Sequence, residues 1–300
     1  MDKEHRTSLL KLHFVVFIYG FTAILGKLIS ISAIDLVWYR MLVAVAGLSV
    51  LLFLQGFNLK ISFRAGIQIL LVGLIVAAHW ISFFGAIKLS NISVTLGCLA
   101  STTLFTSILE PLILKRKVNA VEVIIGLIII AGLYLIFQFE IHYLDGILVA
   151  LASAFLAGLF TVLNKKLVQK HSTRLITFYE MVGGFIGISL FFLFTEGFST
   201  EFFLLPVSDV FYLLLLGLVC TAFAFAIQVD VMKKLSAYLV ALTINLEPVY
   251  GIILAWLFFR DTELMSTGFY IGTVIILVAV LAFPVYQSRR RKAEVLQKKP

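Results

Sequence analysis

Apolar residues run through this chain in ten long blocks separated by short polar stretches. The blocks fall near 10–28, 33–54, 65–87, 92–114, 119–138, 145–164, 174–195, 208–232, 237–259 and 265–286. Each holds about the 20 residues that a helix needs to cross a hydrocarbon layer of about 30 Å. The pattern predicts an all-α integral membrane protein with ten transmembrane helices. The first block is not a signal peptide on this reading, because no small-residue cleavage site follows it and nine further blocks do.

The charges sharpen this picture. With the N-terminus inside, ten spans return the C-terminus to the same side. All 24 lysines and arginines except Lys27, Arg40, Lys88 and Arg260 then fall on inner segments. Asp35, Glu140, Asp145, Glu196, Glu201, Asp209, Asp261 and Glu263 border the outer face instead. Short loops that keep lysine and arginine inside obey the positive-inside rule. Both termini are therefore expected in the cytoplasm, with residues 289–300 as a basic cytoplasmic tail.

Composition excludes several classes. The chain is 61% hydrophobic and 13% charged, with mean hydropathy +1.08, which no soluble domain of this length shows. The net charge of +8 is accounted for by inner loops that face an anionic bilayer, so no nucleic-acid partner is needed. Cys98 and Cys220 both fall inside spans, which argues against a disulfide framework, and no metal-ligand spacing occurs. No cofactor or ATP-binding loop of the Gly-x-x-x-x-Gly-Lys type is present. Asn91-Ile92-Ser93 matches a glycosylation sequon but lies against the bilayer.

Shifted by 146 residues, parts of the chain fall on themselves. Lys88-Leu89-Ser90 meets Lys234-Leu235-Ser236, Val94 meets Val240, Leu96 meets Leu242 and Gly126 meets Gly272. A gapped match joins Trp38-Tyr39-Arg40-Met41 to Phe178-Tyr179-Glu180-Met181. Two halves of five spans each, 1–140 and 141–288, must enter the membrane in opposite directions. Equivalent loops should then carry opposite charge, as Lys115-Arg116-Lys117 and Asp261-Thr262-Glu263 do. Inverted repeats are a mark of secondary transporters, in which a site between the halves opens to each side in turn.

This arrangement resembles the EamA-type members of the drug/metabolite transporter superfamily. Tyr19-Gly20 in the first span is similar to that family's opening motif. Arg40 in Tyr39-Arg40-Met41 matches its early second-helix arginine. Ala86-Ile87-Lys88-Leu89-Ser90 and Leu246-Glu247-Pro248-Val249 resemble its third- and ninth-helix motifs. The chain departs from the pattern at Thr102, where the family has a proline, and at Lys117, where it has a glutamate whose second-half counterpart is Glu263. The resemblance implies a ten-helix basket with helices 1, 3, 4, 6, 8 and 9 around a central cavity and 5 and 10 at the periphery. It also implies export of amino acids or small metabolites, with uptake or drug efflux as the alternatives, in a bacterial cell inner membrane.

Ionisable groups inside spans are costly and face a bundle interior or a cavity. Arg40, His79, Glu180 and Glu247 meet that description. Glu247 sits at the centre of the ninth span. Pro248 behind it removes a backbone hydrogen bond and kinks the helix. Thr243, Glu247 and Tyr250 are spaced to share one helical face, with Asn245 on another side. The candidate substrate-binding set is Tyr19, His79, Trp80, Phe83, Thr102, Thr243, Glu247 and Tyr250. His79 with Glu247 could also exchange a coupling proton, since imidazole changes charge near neutral pH. The bland readings are a satisfied packing histidine, close-packing hydroxyls in the fourth span and aromatics in contact with lipid. Arg40 and Glu180 are read as gates or anchors near opposite faces. Arg40 would pair with Asp35 or a substrate carboxylate at the outer mouth, or snorkel, and Glu180 would pair with an inner-loop lysine such as Lys165. Gly183 and Gly187 are read as a packing face.

The expected function is a secondary transporter of a small-molecule substrate, not an enzyme. A membrane-embedded lipid enzyme would need a nucleophile with its base or a metal cluster, and neither His-Glu-x-x-His nor Gly-x-Ser-x-Gly occurs. A channel would show charge rings along a pore, and none is visible. Substrate identity, direction, coupling ion and oligomeric state are not encoded legibly.

Overall fold

The computed structural model describes residues 3–118, 120–195, 198–279 and 282. Glu196, the end of the tenth block and the basic tail 289–300 lie outside the described residues. The chain forms α1 (Lys3–Leu28), α2 (Ala33–Leu54), α3 (Phe63–Leu89), α4 (Ile92–Leu99), α5 (Thr102–Leu114), α6 (Ala120–Phe139), α7 (Leu144–Leu167), α8 (Thr173–Phe194), α9 (Val207–Gly217), α10 (Ala224–Val231), α11 (Ala237–Ile244) and α12 (Glu247–Phe259). A further apolar helix, α13, covers Thr267–Ala279. No strand occurs among the described residues. Among the described residues nine segments are long and apolar enough to cross a membrane, and α13 is the described part of the tenth block. α6 is the least covered of the nine, with 33% of its apolar window buried, which fits a peripheral place.

Contacts between the connecting segments sort them onto two ends. At one end Glu4 pairs with Lys234, the Lys165 ammonium donates to the Met232 and Leu235 carbonyls, and the Tyr179 hydroxyl donates to the Leu59 carbonyl. At the other, Lys27 pairs with Glu263, Ser30 donates to Asp209 and Ser266 donates to Glu140. The first end carries the basic loops and the second the acidic borders. The pairing of Glu180 with Lys165 expected from sequence does not form, because those two carbonyls hold the lysine.

Three spans are discontinuous. The fourth stops at Leu99 and restarts at Thr102, and the ninth stops at Ile244 and restarts at Glu247. The eighth passes through a π-helical turn, Leu218–Phe223, between α9 and α10. Sequence reading had treated all three as continuous helices.

The two breaks are counterparts. The N-caps Asn91 and Ser236, the last residues Leu99 and Ile244, and the positive-φ C-caps Lys115 and Arg260 each stand 145 residues apart. That is one less than the spacing that aligns the identities. α2 and α8 likewise stand 140 apart at both ends. Glu247 is thus the counterpart of Thr102, and Glu180 the counterpart of Arg40.

Each broken helix is clamped at its start by a carboxylate from the other half. Glu263 accepts from the Ile92 and Ser93 amides at 3.3 and 2.9 Å, and Glu110 accepts from the Ala237 and Tyr238 amides at 3.2 and 3.3 Å. A carboxylate on the first free amides of a helix answers both the unmet donors and the dipole. Lys27 then neutralises Glu263 at 2.6 Å. Arg116 neutralises Glu110 at 3.1 Å, together with Glu122 at 2.6 Å. Burial works against the Arg116 charge, but its bonds to Glu122 and the two carboxylates outweigh this and raise its pKa above the ordinary arginine value. Glu110 therefore supplies, from within α5, the role that Lys117 cannot.

α3 and α8 meet backbone to backbone. Gly73 lies against the main chain of Glu180, and Gly183 against that of Leu70. A side chain at either glycine would push the two helices apart, so the small residues do pack as expected.

Candidate functional site

A cavity of about 60 Å³ lies among α1, α2, α3, α7, α10 and the two breaks, with room for only a few water molecules. Tyr19, His79, Trp80, Phe83, Thr102 and Glu247 line it. Thr243 and Tyr250 do not line it. The break at Asn245–Leu246 cancels the continuous spacing that put them beside Glu247. The Thr243 hydroxyl donates to the Leu239 carbonyl of its own helix, and the Tyr250 ring packs edge-on against Phe17.

Arg40 is not at the outer mouth. It is 2% exposed, lines the cavity, and lays its guanidinium on the Trp80 ring at 3.7 Å from the centroid. Its Nε donates to the Thr221 hydroxyl in the π-helical turn. Its Nη1 is buried without a hydrogen-bond partner. The π turn is what frees this hydroxyl, which in turn donates to the Leu216 carbonyl five residues back.

Glu247 is the first residue of α12 and 6% exposed. A carboxylate there sits at the positive end of the helix dipole. Thr102 holds the same place at the start of α5. The breaks are tied directly to each other: the Asn245 amide donates to the Ala100 carbonyl at 2.7 Å and to the Thr103 hydroxyl at 2.6 Å. Ser101 and Thr102 donate back to the Cys98 and Leu99 carbonyls that end α4, and Thr106 and Ser107 to the Thr102 and Leu104 carbonyls of α5. These bonds stay within the broken span rather than reaching across.

His79 binds α7. Its Nδ1 lies 2.9 Å from the Ser153 carbonyl and 2.8 Å from the Ser153 hydroxyl, which itself donates to the His79 carbonyl. A carbonyl only accepts, which places the proton on Nδ1 and leaves Nε2 as the acceptor of the neutral ring.

Sequence reasoning missed Thr22, Phe160, Thr161, Phe225 and Gln228, all of which line the cavity. Gln228 accepts from the Tyr19 hydroxyl. An amide within an apolar block was a readable signal for it, had the search for costly groups included uncharged ones. Glu180 faces elsewhere. It is fully buried and accepts from the Asn164 amide at 3.3 Å.

The chain is similar over 95% of its length, and over 98% of the other chain, to a solved structure described only as the crystal structure of a protein. That likeness has a TM-score of 0.70 at 16% identity and concerns the fold. No curated protein matches. The EamA-like transporter family matches twice, over residues 7–138 and 144–283. With nine or ten apolar helices and two matched halves around one cavity, this multi-pass membrane protein belongs to the EamA-like transporter family of the drug/metabolite transporter superfamily.

Proposed function

We propose that the chain is a secondary transporter that moves small zwitterionic metabolites, amino acids first among them, by alternating access between the halves 1–140 and 141–288. The supporting observation is a basic and an acidic side chain, Arg40 and Glu247, lining one cavity. Arg40 offers a buried Nη1 without a partner, and Glu247 offers a carboxylate at a helix break. A guanidinium binds a substrate carboxylate through directed hydrogen bonds, and a carboxylate answers an ammonium. Trp80, Phe83, Phe160 and Phe225 give the remaining wall, which suits an aliphatic or aromatic side chain. Binding where two half-helices meet is the usual arrangement for such transporters. Export, the direction common in the family, is the direction we assign, across the inner membrane of a bacterium with both termini cytoplasmic.

The cavity holds only a few waters, so a substrate of this class must widen it on entry. Proteoliposomes loaded with a radiolabelled amino-acid mixture test the reading. Saturable exchange that is lost in both Arg40→Gln and Glu247→Gln is the expected result. Wild-type exchange in either variant would remove that residue from the site, and product formation without flux would favour an enzyme.

A further inference from the structure

Away from the cavity, three buried oxygens on α7 and α8 have no hydrogen-bond partner: Glu180 Oε1, Asn164 Oδ1 and Thr177 Oγ1. Their residues are at most 1% exposed. Glu180 stands seven residues into α8, about 10 Å from its start at 1.5 Å per residue, and so within the hydrocarbon layer. Its one contact is the long bond from Asn164.

Among the described residues no cationic side chain pairs with it. On the helices packed against α8, Arg40 turns to Trp80, His79 is bonded to Ser153, the Lys165 ammonium sits on two carbonyls, and Asp230 pairs with Lys233. On α8 itself, Arg174 lies over the Phe57 ring. An ionised carboxylate with one donor and no cation is untenable in such a place. The side chain must hold either a proton or a cation. Three oxygens fall well short of the six or more that hard cations gather.

The position is related to the cavity by the repeat and by a shared helix, α7. Glu180 is the counterpart of Arg40 under the 140-residue register of α2 and α8, and Arg40 lines the cavity. Thr161, three residues before Asn164 on the same face of α7, lines it too.

We propose that Glu180 is the proton-carrying site of the transport cycle. Its carboxylate takes one proton from water on one side, the neutral acid crosses with the rearrangement of the halves, and the proton leaves to water on the other side through the Asn164–Thr161 face. No other bond forms or breaks. The proposal rests on the transporter reading above, and its test has an arm that does not.

The first arm is infrared spectroscopy of the full chain in liposomes. The expected result is a protonated-carboxyl band that is present in wild type and Glu247→Gln, absent in Glu180→Gln, shifted in Glu180→Asp, and reversibly lost as pH rises while the chain stays folded. A band that persists unchanged up to unfolding would make Glu180 a fixed packing acid and overturn the proposal. So would the absence of the band, or its removal by sodium at constant pH, which would assign the site to a cation. In the second arm, Glu180→Gln keeps exchange of a radiolabelled amino-acid mixture within about twofold and loses accumulation driven by a pH gradient by about tenfold or more. Unchanged gradient-driven accumulation overturns the proposal. Absence of all flux in wild type would count against the amino-acid reading and leave the infrared result to decide the proton site.

Discussion

At Ala100–Ser101 the chain interrupts a transmembrane helix with no proline nearby, while at Asn245–Leu246 it does so just ahead of Pro248. Both interruptions follow an 8-residue helix whose N-cap side chain accepts from the amide three residues on, and each of those helices is clamped by a carboxylate from the opposite half. Proline is therefore not what both share. Hydroxyls bonded back to free carbonyls, the clamp, and the Asn245 bridge suffice in the first half. The two sides part company in charge. The residue that restarts the helix is Thr102 in one and Glu247 in the other, so a nearly twofold scaffold holds an asymmetric site.

That contrast can be broken experimentally. The largest effect is expected from its charged side: Glu247→Gln should lower exchange by about 100-fold, the scale for removing one of two buried charged partners, while Thr102→Val changes it by less than about fivefold. Equal losses would show that recognition is as symmetric as the scaffold. The bridge comes next. Asn245→Ala should destabilise the protein in detergent by about 2 kcal/mol, because it leaves buried partners unpaired. A denaturation midpoint near wild type would mean that each interruption stands alone. The clamps sharpen the comparison further: Glu110→Gln and Glu263→Gln should each cost about 1 kcal/mol, and a large inequality between them would separate the halves energetically. Smallest of all, Pro248→Ala should fall within about 0.5 kcal/mol, since proline in the first turn of a helix replaces only an amide that has no helical partner. A marked loss would restore proline as the cause of the second break.

The spans and the two repeats were legible because apolar length and the alternation of charge between loops are strong, redundant signals. The interruptions were not, since each span stays apolar enough over its whole length to read as one helix despite Ser101-Thr102-Thr103 and Glu247-Pro248. From that one omission came the misplacement of Thr243 and Tyr250. Arg40 was assigned to the outer mouth by counting from the end of its span. Its long side chain instead reaches inward to Trp80, a choice that sequence spacing cannot register. Glu180 was expected to find Lys165, but the Met232 and Leu235 carbonyls outcompete it, and such backbone acceptors leave no trace in composition.

The π-helical turn at Leu218–Phe223 inserts one residue more than a regular helix would need over that stretch. Everything beyond it, including Phe225 and Gln228, is consequently rotated by about 100° from where an uninterrupted α-helix would aim it. Excising a single residue between Leu218 and Phe223 should therefore act like a change of phase: the span keeps its hydropathy and nearly its length, yet Gln228 swings away from Tyr19 and Thr221 from Arg40.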